Sequence, residues 1–188
     1  MRRVSEVLST YFDASMIPAD VLAHACRRGT RVHRACLSYA SQVPPIFFME
    51  ADETPFYESF MGWFDRNVEK VFLVERRLYD NELKLTGQVD LICSVRLQPG
   101  VLCVIDLKTP QSLKLSWLGQ LAAYTHLAEV SRWKEFTSEL PLVAGSLRLD
   151  KDGGTAKLDW VSRPQMVMAW NAFRAKLIAD NFFMEGRR

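Results

Sequence analysis

The chain has 188 residues, with 24 Lys and Arg against 22 Asp and Glu, a net charge of +2 and an apolar fraction of 48%. That length suits one domain with a substantial core. The charge is too close to neutral for binding nucleic acid by bulk electrostatics, so such a ligand would need a local basic patch. The start Met1-Arg2-Arg3-Val4-Ser5-Glu6 lacks the apolar stretch of a secretory leader, and no apolar run approaches a membrane span. A cytoplasmic protein with no membrane partner is expected. Cys26, Cys36, Cys93 and Cys103 are widely spaced in apolar segments and form no C-x-x-C pair, a pattern that predicts buried free thiols.

In chain order, residues 4–26 read as two helical pieces, Val4 to Leu8 and Pro18 to Ala23, with Pro18 at a first turn. A further helix starts at Gly29 or Thr30 and runs to about Ala40. At about 100° per residue, Val32, Cys36, Leu37 and Ala40 surround His33, which places His33 on the buried face with Arg31 and Arg34 pointing away. Arg27, Arg28, Arg31 and Arg34 are the densest basic cluster. They read either as a solvated face or as phosphate contacts beside a nucleic-acid site. Pro44-Pro45 breaks the chain, and a helix from about Pro55 to Val68 carries Phe56, Phe60, Trp63 and Phe64 as a core stripe.

Lys70 to Leu78 and Leu83 to Val95 read as strands, with Gly87 allowing a bend in the second. Glu75 ends an apolar run and is either an exposed strand-end acid or a supporting partner of a site. The runs Leu91 to Val95 and Val101 to Ile105 flank a turn, and both carry charge where apolar residues would continue them. Asp106 and Lys108 share a strand face, while Leu107 points the other way. In a hairpin, Asp90 lies across from Asp106 and the two carboxylates converge. Such a pair repels unless a proton or a cation is shared, and a divalent metal with hard oxygen ligands is the natural occupant. Taken singly, the same residues read as an edge-strand ion pair and a turn-opening aspartate.

Thr109-Pro110 leads out of the sheet to a helix spanning Leu113 to Val130, on which Gln120 and Tyr124 share a face. Trp133 and Lys134 belong to the loop that follows. Pro141 to Leu149 and Thr155 to Trp160 form a hairpin across Asp152-Gly153-Gly154, and Pro164 opens a last helix with Trp170, Phe173, Leu177 and Ile178 facing the core. The fold class is therefore α/β (α+β), a central mixed sheet with helices on both faces in one domain over 1–188. Within it, 1–68 is helical and carries His33, 70–130 holds the hairpin and its helix, and 141–184 holds the second hairpin and last helix.

The run Gly87-x-x-Asp90, the strand ending Asp106-Leu107-Lys108-Thr109, the helix with Gln120-Leu121-Ala122-Ala123-Tyr124, and His33 after Arg28-Gly29-Thr30-Arg31-Val32 together resemble the PD-(D/E)XK nuclease superfamily. Within it the likeness is to the RecB and Cas4-like branch and its phage-encoded exonucleases, and it covers about Val4 to Tyr124. The resemblance implies a restriction-endonuclease-like core and a deoxyribonuclease dependent on Mg²⁺ or Mn²⁺. It assigns Asp90, Asp106, His33 and the Leu107 carbonyl to the metal, Lys108 to the attacking water and the phosphate, and Gln120 and Tyr124 to the metal centre and substrate strand. Many Cas4-like proteins hold an iron–sulfur cluster with cysteines after the nuclease helix. No cysteine follows Cys103, so no cluster is expected.

The expected activity is that of an exonuclease on DNA ends, single-stranded DNA included, in recombination, repair or phage DNA processing, in the host cytoplasm if viral. No helix-turn-helix or zinc module is legible for reading duplex sequence. The arginines at 27, 28, 31 and 34 would follow a backbone, and Trp117 and Tyr124 would stack bases. A structure- or site-specific endonuclease and a catalytically silent nucleic-acid-binding module stay open as alternatives, as do a homo-oligomer and a recombination partner protein.

Overall fold

A computed structural model of the protein describes residues 1–11, 15–110, 114–131 and 140–185. A short strand β1 (Arg2–Arg3) leads into α1 (Val4–Leu8), and α2 (Ala19–Ala40) and α3 (Thr54–Asn67) follow. Three long strands come next, β2 (Val68–Asp80), β3 (Leu85–Val95) and β4 (Gln98–Lys108). The chain then runs through α4 (Leu115–Val130), β5 (Leu142–Arg148), β6 (Lys157–Trp160) and α5 (Arg163–Glu185). The expected helix start at Leu113 and the loop residues Trp133 and Lys134 lie outside the described residues. No described helix is long and apolar enough to cross a membrane.

The two helices expected around Pro18 and Gly29 are one. An interior glycine costs a helix about 1 kcal/mol, and burial of Val32, Ala35, Cys36 and Leu37 on α2 outweighs it. Pro18 stands just before the first turn as its cap residue. Two further expectations are corrected by burial. Ile178 is 50% exposed while Phe173 and Leu177 face the core, and Cys26 is exposed while Cys36, Cys93 and Cys103 are buried free thiols.

The strands form one mixed sheet in the order β2–β3–β4–β5–β6, with β1 parallel to the first residues of β3. β2, β3 and β4 are antiparallel neighbours, and β5 and β6 form a second antiparallel pair. β4 and β5 run parallel, and the crossover that such a pair requires carries α4. On one face, Leu121, Tyr124 and Leu127 of α4 pack with Val4 and Val7 of α1 and with Phe173 and Leu177 of α5. On the other, Val32 and Cys36 of α2 and Phe56, Phe60 and Trp63 of α3 pack on Leu91, Cys93, Ile105 and Leu107. The aromatic stripe of α3 is thus core.

Two departures from regularity shape the middle of the sheet. β3 pairs with β2 from Val68↔Val95 to Asp80↔Leu85, but with β4 only from Val95↔Gln98 to Leu91↔Ile105. β4 continues along β5 to Lys108↔Arg148. The sheet therefore forks at Asp90 and Asp106, the next residues in register. In addition, Val89 packs in the α4-side core and Leu91 in the α2-side core, although a two-residue period would put both on one face. The strand turns at Asp90, and Glu75, which stands between the pairs Val74↔Leu91 and Arg76↔Val89, has a left-handed φ of 47°.

The expected bend at Gly87 thus falls at Asp90. Gly87 serves close packing instead: a Cβ there would lie 2.8 Å from Tyr124 Cε1, 2.9 Å from Leu127 Cδ1 and 3.0 Å from Val4 Cγ2. Gly87→Ala should destabilise the protein by about 1–3 kcal/mol, as expected for overpacking a core. Urea unfolding tests this: the midpoint should fall with the m-value unchanged.

Candidate functional site

At the fork, the backbone N–H of Leu107 has no strand partner on the β3 side and donates instead to Asp90 Oδ2 at 2.8 Å. A side chain thus replaces a ladder bond. The contact holds Asp90 in the gap between the strands, with 13% of its side chain exposed. Above it, Cys36 and Leu37 anchor α2 in the core, and His33, one turn earlier, brings Nδ1 to 3.5 Å from Asp90 Oδ2. His33 is 31% exposed, so it stands at the rim of the buried face of α2 rather than within it.

On the β4 side, strand alternation projects Asp106 and Lys108 together, as the sequence indicates. Asp106 is 1% exposed, and its Oδ2 lies 2.5 Å from Lys108 Nζ. The angles of that ion pair do not make a hydrogen bond, and Oδ2 is a buried atom with no hydrogen-bond partner. Lys108 Nζ donates to Gln120 Oε1 at 2.9 Å, and Gln120 Nε2 donates to the Tyr124 hydroxyl oxygen at 3.0 Å. These two bonds fix the orientation of the amide and leave the Tyr124 hydroxyl proton able to donate into the cleft. Burial, and after it the Asp106 carboxylate, pushes the Tyr124 pKa up, so the hydroxyl stays protonated.

Asp90, Asp106, Lys108, Gln120, Tyr124 and His33 therefore meet at one place, contributed by β3, β4, α4 and α2. Burial raises the Asp90 pKa from its ordinary 3.8 to about 6, with the Asp106 charge adding to the effect. His33, the Leu107 N–H and Lys108 act in the opposite direction. The donor chemistry fits a hard divalent cation. Asp90 and Asp106 supply carboxylate oxygens, one of them a buried atom without a hydrogen-bond partner, and the Leu107 peptide lies between them. Among the described residues no group of three or more His, Cys, Asp or Glu stands close enough together to hold a metal. Asp106 Oδ2 faces the Lys108 ammonium, and a backbone carbonyl would have to complete the set.

Other expected contacts fall differently. Trp117 and Tyr124 are each 7% exposed, which leaves no ring face for a nucleic-acid base. The Trp117 ring instead backs the Lys108 ammonium at 5.3 Å. Glu75 is exposed and accepts from Gln88 Nε2 at 3.1 Å, away from the centre. Arg31 is drawn into Glu53 at 2.5 Å and donates to the Phe48 carbonyl at 2.7 Å, bracing the segment before α3. Sequence reasoning missed Glu53, which is buried, and the signal available was the acidic run Glu50 to Glu53 facing a basic helix. Arg28 reaches Asp52 at 3.5 Å and lines a cavity of about 400 Å³ with Thr109, Pro110 and Lys151 at the end of β4. Arg27 and Arg34 are exposed on α2.

No protein-family model matches the sequence, and no curated protein is significantly similar to it. Among solved structures, a protein of Eubacterium rectale assigned as an exonuclease is similar at 14% identity and a TM-score of 0.49 over 80% of this chain. The chain spans 64% of the length of that protein. An alkaline exonuclease of Laribacter hongkongensis is similar at 11% identity and a TM-score of 0.41, over 99% of this chain and 92% of its own.

The raised Asp90 pKa has a stability consequence. Its folded value exceeds the unfolded one, so the contribution is fully present below about pH 3.8 and is lost as pH rises through about 6. Asp90→Asn keeps an acceptor for the Leu107 N–H and cannot ionise. Relative to the parent protein without metal, the variant should gain about 3 kcal/mol between pH 4 and 6 and then level off. Denaturant titrations of both proteins across this window check it. Parallel stability curves would remove the assignment.

Proposed function

We propose that the protein is a divalent-metal-dependent deoxyribonuclease of the PD-(D/E)XK type, in the RecB and Cas4-like branch, that degrades DNA from its ends. The observation that supports this reading is the meeting, at one fork of the sheet, of a buried and a partly buried carboxylate with a Lys–Gln–Tyr chain of hydrogen bonds. In this reading Asp90, Asp106 and the Leu107 carbonyl hold the ion, and His33, whose Nδ1 lies 3.5 Å from Asp90 Oδ2, moves in as a further ligand when it binds; oxygen donors with one nitrogen suit Mg²⁺ or Mn²⁺. When bound, the ion supplies Lewis acidity to the phosphodiester and a template for in-line attack.

The remaining chemistry belongs to the chain. Lys108 has three N–H donors. Gln120 takes one at 2.9 Å and Trp117 backs the ammonium, so another donor faces the cleft and orients the attacking water or offsets phosphate charge. Gln120 is the positioning residue for Lys108 and Tyr124 at once. Tyr124, kept protonated, donates its hydroxyl hydrogen to a phosphate oxygen of the cleaved strand. Arg27, Arg28 and Arg34 on α2 contact flanking phosphates, and salt should weaken binding steeply. The setting is recombination, repair or phage DNA processing.

Three outcomes are expected. Asp106→Ala should abolish Mg²⁺-dependent cleavage of end-labelled DNA while the protein stays folded. Lys108→Ala should lower kcat by roughly a hundredfold or more, as for a group acting on transition-state charge, with metal affinity by calorimetry nearly unchanged. Linear single strands should be shortened from an end, and closed circles of the same sequence should resist. Rapid cutting of circles would favour an endonuclease, and full activity in Asp106→Ala would sink the mechanism.

A further inference from the structure

We infer that Arg77 is a phosphate contact for the strand that enters the fork, held in position by Gln88 and Glu75; this rests on the nuclease reading above. Arg2, Arg31 and Arg148 are each taken up by a carboxylate, those of Asp180, Glu53 and Asp159. Arg77 is exposed and donates through Nη2 to a neutral amide, Gln88 Oε1, at 3.3 Å. The nearby carboxylate, Glu75, accepts from the other end of that amide at 3.1 Å. Gln88 thus links acid and base without neutralising the guanidinium, and it holds the side chain along the strand. A fork-shaped cation with spare N–H donors matches a phosphate.

The position fits as well as the charge. Arg77 and Gln88 are register partners on β2 and β3, and Gln88 precedes Asp90 by two residues. That separation is about 7 Å along a strand, on the scale of one nucleotide. The neighbouring Gly87 faces the Tyr124 ring, so this part of β3 lies against α4. The positive charge of Arg77 is felt at the Tyr124 hydroxyl, where it opposes the effect of burial. Glu75 also carries the left-handed backbone at the bend, a conformation that costs about 1–3 kcal/mol in a non-glycine residue. The strained residue and the bend at Asp90 thus set where Arg77 stands relative to the site.

An ordinary cross-strand surface pair would give none of the following. Fluorescence anisotropy with a labelled single-stranded oligonucleotide, in EDTA to block hydrolysis, is measured from low to moderate salt for the parent, Arg77→Ala, Arg77→Gln and Arg77→Lys. Loss of one phosphate contact on a single strand should flatten the slope of log affinity against log salt by about 0.7 in the Ala and Gln variants, and Lys should retain it. With Mg²⁺ present, the Ala variant should show a raised KM with kcat nearly kept. Thermal unfolding confirms that each variant folds, and the polar, uncharged Gln variant carries the test if Ala does not. A parent that binds and cleaves, with Arg77→Ala and Arg77→Gln unchanged in slope and KM, overturns the inference and leaves the nuclease reading standing. A parent that neither binds nor cleaves linear DNA overturns both.

Discussion

Where β3 and β4 part, one backbone N–H loses its ladder partner, and the Asp90 carboxylate takes it at 2.8 Å. A buried peptide N–H left unpaired is costly, so this one contact lets the sheet open in its middle without orphaning the donor. Its other effect is to hold an acid in the gap it creates. The fork widens toward the end of β4, which stays attached to β5, while β3 stays attached to β2. α2 covers the gap from one side and α4 from the other, which is why residues from four elements reach it.

The same arrangement concentrates charge that the fold alone does not balance. Asp90 and Asp106 face a single ammonium, and one buried carboxylate oxygen has no hydrogen bond. Burial holds the Asp90 pKa near 6 because its ionised form is poorly solvated beside a second acid. Local inconsistency of this kind, inside an otherwise well-packed core, is expected where a protein sets stability aside for function. The amide of Gln120 supports it by ordering both Lys108 and Tyr124, and Trp117 contributes its ring face rather than a stacking surface for bases.

The left-handed Glu75 and the small Gly87 are the structural companions of the fork. Glu75 turns the strand where its partner strand reverses its facing, so Val89 and Leu91 enter different cores. Gly87 lets Tyr124 and Leu127 come close enough to the sheet for Gln120 to reach Lys108. A packing position in the core thereby governs the geometry of polar groups beyond it.

Much of this was legible in the order of residues. The two-residue period puts Asp106 and Lys108 on one face, the helical period puts Gln120 and Tyr124 on another, and hairpin register brings Asp90 opposite Asp106. These relations are local, set by backbone geometry, and they held. The mixed sheet with helices on both faces followed from the alternation of apolar runs and turns. What the sequence could not settle depended on contacts between distant segments. The aromatic character of Trp117 does not reveal that its ring lies against Lys108, and the helical wheel of α2 could not separate a rim position for His33 from a buried one. Arg31 looked like Arg27 until Glu53, 22 residues away, claimed it. The bend moved from Gly87 to Asp90 because close packing by α4, not backbone freedom, requires the glycine. Periodicity fixes which side chains share a face, but only the packed chain decides what that face meets.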